Sequence, residues 1–468
     1  MKSPHESTAV FDQSLIEKYS VQGPRYTSYP TAVEFTEAFD HQRFTALAIE
    51  SNASQRDLSL YVHVPFCDTI CYFCACNKII TKNKTHSAPY LDYVEKEMQH
   101  VASLIDADRK VVQLHWGGGT PTFLTTEEQW RLTNMFRQYF NFATDDEGEF
   151  SIEIDPRTVT EQSIADLREM GFNRLSFGIQ DFDPKVQIAV NRIQSYESTK
   201  LIIEAGYTNG FHSISVDLIY GLPFQNVKNF EKTVDKIIGL SPDRIAVFNY
   251  AHLPHLFKGQ KQILDKNLPS PAEKLAILEM TITKLIDAGY VFIGLDHFAK
   301  PDDAMALDQK VGRLYRNFQG YSTFSECDLF GFGMSSISMV GNSYSQNDKN
   351  KDSYYERLDA GQLPTVRGVE LSTDDVIRRK VITEIMCNMR LDFDAIGAQF
   401  GIDANQYFAQ EKQALIALAA DGLLTLTEHG FVVLPPGRLL VRNICMVFDA
   451  YLPKTQENTQ EKTFSKAI

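Results

Sequence analysis

The stretch Phe66–Lys78 reads FCDTICYFCACNK and carries four cysteines, Cys67, Cys71, Cys74 and Cys76, spaced C-x3-C-x2-C-x-C. The chain has seven cysteines, and Cys327, Cys387 and Cys445 stand alone. An odd total and one tight cluster do not suit a secreted disulfide framework. In a reducing compartment they suggest a metal or redox site. Structural zinc usually takes its four ligands as two separated pairs, and Cys74 and Cys76 are too cramped for that. Inert core thiols are the other reading, but a loop so dense in cysteine makes a poor core. Three thiolates at C-x3-C-x2-C can hold three irons of a four-iron cluster and leave the fourth iron for a small ligand. On that reading Cys67, Cys71 and Cys74 are the metal ligands. Phe66, Tyr72 and Phe73 would shield the cluster, and Cys76 is left over.

A second group follows at HWGGGTPTF, 115–123. Its glycines let backbone approach a ligand closely and present N–H groups. Without the Lys of a P-loop it is not a triphosphate site. Glu153, Gln180, Arg192 and Asp217 form a third group. Each alone is more often an ordinary rim ion pair or hydrogen bond. Together they could hold a zwitterionic ligand, since Arg grips a carboxylate through two parallel bonds and an acid suits ribose hydroxyls.

The elements that carry these residues alternate. Strand patterns fall at 58–66, 111–117, 149–155, 174–180, 213–221 and 244–250, with helical stretches between them, among them 88–104, 125–140 and 160–171. Thr125 and Glu128 make a capping-box candidate. Such alternation builds a parallel sheet with right-handed crossovers. The polar and glycine features sit at the C-terminal ends of many strands, which is barrel organisation. An open doubly wound sheet would gather them at one switch point. The expected fold is α/β, an incomplete six-strand barrel over 51–365. Before it lies an N-terminal segment, 1–50, holding GPRYTSYPT. After it comes a mainly helical, winged-helix-like domain, 366–468, with helices at 372–390 (N-cap Ser372) and 405–422, a hairpin at 423–434 and a last helix GRLLVRNICMVFDAYL. The tail from Pro453 reads as frayed.

The 468 residues are 43% hydrophobic, enough for a sizeable core. The N-terminus lacks an apolar signal-peptide region, and no apolar run reaches membrane-spanning length. A cytoplasmic protein without membrane insertion is expected. A net charge of −14 disfavours a nucleic-acid partner. It leaves room for an anionic small substrate, because salt screens distant charge and local cations decide.

The cysteine spacing after the first strand resembles the radical S-adenosylmethionine superfamily. Within it, YVHVPFCDTICYFCACNKI, HWGGGTPTFL, NRLSFGIQDF, VDLIYGLPFQ, VFNYAHLP, NFQGYST and GPRYTSYPT resemble the oxygen-independent coproporphyrinogen III oxidases, and the likeness covers nearly the whole chain. That family has Cys-Gly-Cys-Asn where this chain has Cys74-Ala75-Cys76-Asn77. The resemblance implies a [4Fe–4S] cluster on Cys67, Cys71 and Cys74 and two S-adenosylmethionine molecules. By motif position one would lie at Phe73, Gly119, Thr120, Gln180, Arg192, Asp217 and Ala251, the other at Tyr61, Gly118, Glu153 and Ile337. It further implies a catalytic role for Cys76 without iron ligation. The reaction implied is radical decarboxylation of two substrate propionates to vinyl groups, which turns coproporphyrinogen III into protoporphyrinogen IX. A flavodoxin- or ferredoxin-like one-electron reductant and a monomeric state come with it. Arg25, Lys78, Lys82, Lys84, Arg313 and Arg316 are candidate cations for the propionates. The alternatives are a haem chaperone of the same superfamily, which typically lacks the Cys76-Asn77 extension and PRYTSYPT, and an iron–sulfur redox regulator.

Overall fold

The computed structural model describes residues 9–452; the tail from Pro453 lies outside them. The chain divides into two compact units. One comprises residues 35–281 and 326–370; the other comprises the segment before residue 35, residues 282–325 and the chain from 371 onward.

The larger unit is built on strands β1 (Leu58–Val64), β2 (Lys110–Gly118), β3 (Glu149–Ile154), β4 (Arg174–Gln180), β5 (Ser213–Tyr220) and β6 (Arg244–Asn249). They pair in parallel, each beside its neighbour in sequence. A doubly wound sheet would reverse its strand order part-way; this order never reverses, as in a barrel. On the free side of β1 the sheet continues through β7 (Asp328–Phe332), parallel to β1, and then antiparallel through β8 (Ile337–Val340), β9 (Ser343–Asn347) and β10 (Thr365–Glu370). The six-strand barrel is therefore incomplete, and its open side carries an extension that the strand patterns did not announce.

Helices cover the outer face. Among them are α1 (Ser87–Ala102), α2 (Thr126–Tyr139), α3 (Glu161–Glu169), α4 (Pro184–Ala189), α5 (Tyr196–Thr208) and α6 (Val227–Leu240). Thr125 and Glu128 form the expected capping box of α2, which satisfies two otherwise orphaned backbone donors. Strand alternation sorts the two faces. On β3, Phe150, Ile152 and Ile154 are buried while Glu149, Ser151 and Glu153 are half-buried; on β4, Leu175, Phe177 and Ile179 are buried. Trp116 on β2 packs edge-on against Phe172, ring centroids 4.9 Å apart.

In the second unit, helix Thr373–Asn388 starts at Ser372, whose hydroxyl accepts from the Asp375 N–H in a full capping box. A three-stranded antiparallel sheet, ordered 390–392, 430–433, 424–426, forms the wing-like part. The helix expected at 405–422 is two, Ala404–Tyr407 and Ala409–Ala420, interrupted at Phe408 (φ −100°, ψ 27°), whose ring is fully buried. The last expected helix is likewise broken at Leu440, into Pro435–Leu439 and Val441–Met446. Leu440 and Phe408 belong to one core with Ile385, Leu415, Phe431 and Phe448. At both breaks the backbone departs from helix at a side chain that this core buries.

Candidate active site at the barrel rim

The cysteine loop leaves β1 at Pro65 and is pinned on several sides. Residues 66–67 pair with 79–80, and Ile79 N–H donates to Pro65 O (2.7 Å). Tyr72 N–H donates to Val190 O (3.0 Å), Asn191 Nδ2 to Ile70 O (2.8 Å) and Gln260 Nε2 to Phe73 O (2.9 Å). Phe73 packs with Tyr72 against Val186, Val190 and Tyr250. Cys71 is buried and Cys67 and Cys74 half-buried, whereas Cys76 is exposed.

Three donors reach the thiols. Thr120 Oγ1 donates to Cys67 Sγ at 3.4 Å, Arg192 Nη1 to Cys71 Sγ at 3.4 Å and Arg157 Nη2 to Cys71 Sγ at 3.5 Å. Asp155 holds both guanidiniums, at 2.9 Å from Arg192 and 2.6 Å from Arg157. Burial opposes ionisation of Asp155, but the two arginines hold it below the usual carboxylate range. Burial pushes the Cys67 thiol up to about 11, against the Thr120 hydrogen bond. The Cys76 thiol beside Cys74, with the Lys78 charge, lowers the Cys74 pKa.

Among the described residues, no group of three or more His, Cys, Asp or Glu converges on a point that one metal ion could fill. A four-iron cluster spreads its irons over a cube, so its thiolates need not meet at a point. The donors on Cys67 and Cys71 fit such a cluster, since hydrogen bonds to the sulfurs stabilise thiolates and tune potential.

The remaining rim residues follow from register. Tyr61 lies opposite His115, and His115 opposite Ser151. The Tyr61 and His115 rings stack with centroids 5.9 Å apart. His115 Nε2 is 3.4 Å from Glu153 Oε1, and Gly118 N–H donates to Glu153 Oε2 at 3.1 Å. Burial raises the Glu153 pKa, but His115 and the Gly118 N–H outweigh it and hold the group below its ordinary value. Asp217, opposite Gly178, has no such donors among the described residues. Burial, with the Glu153 charge adding to it and Arg192 opposing, pushes it up to about 7.

Tyr61, Gly118 and Glu153 are thus brought together. Ile337 is one strand further on: Tyr61 pairs with Gly331, where an added Cβ would stand 2.6 Å from Ile337 O. At the cysteine loop lie Phe73, Gly119, Thr120 and Arg192; Gln180 and Asp217 stand near Arg192, and Ala251 is exposed just after Tyr250. The Arg192 guanidinium also donates to Gly178 O. Its Nε and Gln180 Oε1 are buried without a hydrogen-bond partner, two polar atoms left for a ligand.

The glycine loop works differently from the N–H cradle read in the sequence. Gly118 N–H serves Glu153, Gly119 N–H serves Val64 O (2.8 Å) and Thr120 N–H serves Phe66 O (2.9 Å). The glycines supply room instead. A Cβ on Gly119 would stand 2.6 Å from Pro65 O, and Gly118 has φ +115° with the His63 ring where its Cβ would be.

Among the candidate cations, Lys78 Nζ donates to Cys74 O (3.0 Å), and Lys84 to Phe123 O (2.8 Å). In the second unit Arg25 pairs with Asp296, Arg313 pairs with Asp308 at 2.8 Å, and Arg316 makes no ion pair among the described residues. Lys82 is exposed, with no ion pair of its own among the described residues. His63, His115, Asp155 and Arg157 were not on the candidate list. His63 Nε2 lies 2.8 Å from Asn77 O and Nδ1 3.2 Å from the Tyr61 hydroxyl; burial lowers its pKa. The period of two along YVHV and QLHW already put both histidines on the Tyr61 face.

Residues 61–237 match the radical SAM superfamily model, and residues 371–440 the HemN C-terminal domain model. The chain is 49% identical over 458 residues to an oxygen-independent coproporphyrinogen III oxidase of Salmonella typhimurium, covering 98% of each. It is 48% identical over 461 residues to one of Pseudomonas aeruginosa, covering 98% of this chain and 99% of the relative. The solved coproporphyrinogen III oxidase of Escherichia coli, described as a radical SAM enzyme, superposes with a TM-score of 0.91 at 47% identity, over 95% of this chain and 100% of that one.

Proposed function

The chain belongs to the oxygen-independent coproporphyrinogen III oxidases of the radical S-adenosylmethionine superfamily, and from that membership we infer how its rim residues serve the reaction. The reaction is oxidative decarboxylation of propionate side chains of coproporphyrinogen III to vinyl groups, giving protoporphyrinogen IX in haem biosynthesis. The observation that carries the assignment is the match at 49% identity over 98% of both chains.

Cys67, Cys71 and Cys74 hold the [4Fe–4S] cluster. Supporting this are the Thr120, Arg157 and Arg192 donors already aimed at Cys67 and Cys71. When bound, the cluster and S-adenosylmethionine supply one-electron chemistry able to take a hydrogen atom from a propionate carbon. The protein's own work is binding, orientation and exclusion. Arg192 and Gln180 offer their unpartnered polar atoms to a zwitterionic ligand. With Phe73, Gly119, Thr120, Asp217 and Ala251 they hold one S-adenosylmethionine. Tyr61, Gly118, Glu153 and Ile337 hold a second. Glu153 stays ionised beside His115. Cys76, exposed and free of ligation, acts in turnover. The segment before residue 50 contributes to the substrate site. The reductant is a flavodoxin- or ferredoxin-like one-electron carrier, and the enzyme works as a cytoplasmic monomer.

The test is an anoxic assay of the iron-reconstituted protein with reductant, S-adenosylmethionine and coproporphyrinogen III, with the product read by mass. Loss of two carboxyl groups that depends on S-adenosylmethionine is expected. Cleavage of S-adenosylmethionine with the tetrapyrrole untouched would overturn the substrate.

A further inference from the structure

In the second unit, two arginines, Arg442 and Arg316, donate to the backbone of Gly23–Arg25. Arg442, 4% exposed, donates through Nε to Pro24 O at 2.9 Å and through Nη2 to Gly23 O. Arg316 donates through Nη1 to Arg25 O at 3.3 Å. Arg25 itself pairs with Asp296. Among the described residues Arg316 forms no ion pair with a carboxylate, though the Asp296 charge reaches it. Its Nε and that of Arg25 are buried without a partner, and its guanidinium lies 5.4 Å from the Tyr321 ring centroid. Two further cations stand beside it, and Asp296 is already engaged.

Arg316 is half-buried, but its Nε is shut off from water without a partner, which is costly, and like charges nearby add to the cost. Burial, joined by the Arg25 charge, lowers the Arg316 pKa, in keeping with an unfilled need for an anion. A guanidinium fork with free N–H groups matches the planar geometry of a carboxylate. Aromatic packing on Tyr321 and the fixed Gly23–Arg25 backbone keep that fork in place before any ligand arrives.

We propose that Arg316, with Arg25 beside it, forms a carboxylate-binding site that takes a propionate of the tetrapyrrole substrate. The identity of that ligand rests on the function proposed above; the carboxylate chemistry does not. Arg442 is a positioning residue that holds the Gly23–Pro24 backbone.

The experiment titrates the full chain with coproporphyrin III, which has four carboxylates, and with its tetramethyl ester, followed by fluorescence. The variants are Arg316→Gln and Arg316→Lys, and near-ultraviolet circular dichroism reports whether each keeps its packing. The expected result is coproporphyrin binding at least tenfold weaker in Arg316→Gln and partly recovered in Arg316→Lys. The ester should bind parent and variant alike. S-adenosylmethionine binding should not change, and in turnover KM should rise more than kcat falls. Equal coproporphyrin affinity in parent and folded Arg316→Gln would overturn the proposal. If the parent binds no coproporphyrin, the substrate reading fails, and titration with propionate alone decides the site. Binding to the parent and not to Arg316→Gln would uphold carboxylate recognition; binding to neither would overturn it.

Discussion

Cys76 and Arg157 carry the sharpest expectations for single residues. Cys76 lies close enough to Cys74 to lower its pKa but is itself exposed. Cys76→Ser should keep its iron and sulfide content and lose turnover; a variant that fails to hold the cluster would make Cys76 structural. Arg157 donates to Cys71 Sγ and shares Asp155 with Arg192. Reduction adds negative charge to the cluster, and a nearby guanidinium favours that state. Arg157→Leu should therefore lower the midpoint potential, which a redox titration followed by electron paramagnetic resonance would read, while Arg192 still neutralises Asp155. The cysteines were legible in the sequence because their spacing alone restricts the chemistry. Arg157 was not, because its role depends on a turn after β3 folding back toward a loop some 80 residues earlier. The Gly118–Thr120 N–H groups misled for a related reason: only the folded register shows that Val64, Phe66 and Glu153 already use them.

A buried ion pair ties the segment before β2 to the start of β7. Arg109, just before β2, forms an ion pair with Asp328 at the start of β7, Nη2 to Oδ2 2.5 Å, at 0% and 2% side-chain exposure. Arg109 also donates to Arg56 O (2.7 Å) and Ser51 Oγ (3.0 Å). Removing one partner of such a pair leaves an uncompensated buried charge, so Asp328→Asn should cost about 3–5 kcal/mol in chemical denaturation. An unchanged midpoint would mean that water reaches Arg109. The six parallel strands and the capped helices were readable because their determinants are local: alternation, Thr125 with Glu128, Ser372. The antiparallel extension β7–β10 was not. Its strands are short, and on β7 and β9 every residue is buried, which leaves no alternation to read. The breaks at Phe408 and Leu440 escaped for another reason. Each is fixed by contacts with residues distant in sequence, and helix propensity along the segment runs straight through them.

For the molecule as a whole, a buried acid couples stability to pH. Glu97 on α1 is 2% exposed and accepts from Tyr354 OH (2.6 Å), Asn347 Nδ2 (2.6 Å) and Gly333 N–H (2.8 Å). Burial outweighs these bonds and raises its pKa from 4.5 to about 7. The folded state thus binds this proton more tightly than the unfolded state does. The stability it confers is present below pH 4.5 and is lost as pH rises through 7, on the order of 3 kcal/mol at about 1.4 kcal/mol per unit. In Glu97→Gln that slope should vanish, so the stability gap between parent and variant should change across pH 4.5–7 and stay level above about 8. A gap independent of pH would show Glu97 ionised throughout.

The pairing of β1 with β7 also bears on how the protein is made. β1 is the strand that leads into the cysteine loop, yet its partner Asp328–Phe332 leaves the ribosome more than 250 residues after Cys76. At bacterial and eukaryotic elongation rates of ~5–20 residues per second, that interval is roughly 13–50 s. Throughout it the nascent chain presents four clustered thiols beside an unpaired edge of β1, open to iron–sulfur delivery and equally open to oxidation into disulfides. Oxygen during translation should therefore harm the yield of cluster-competent enzyme more than the same exposure after folding.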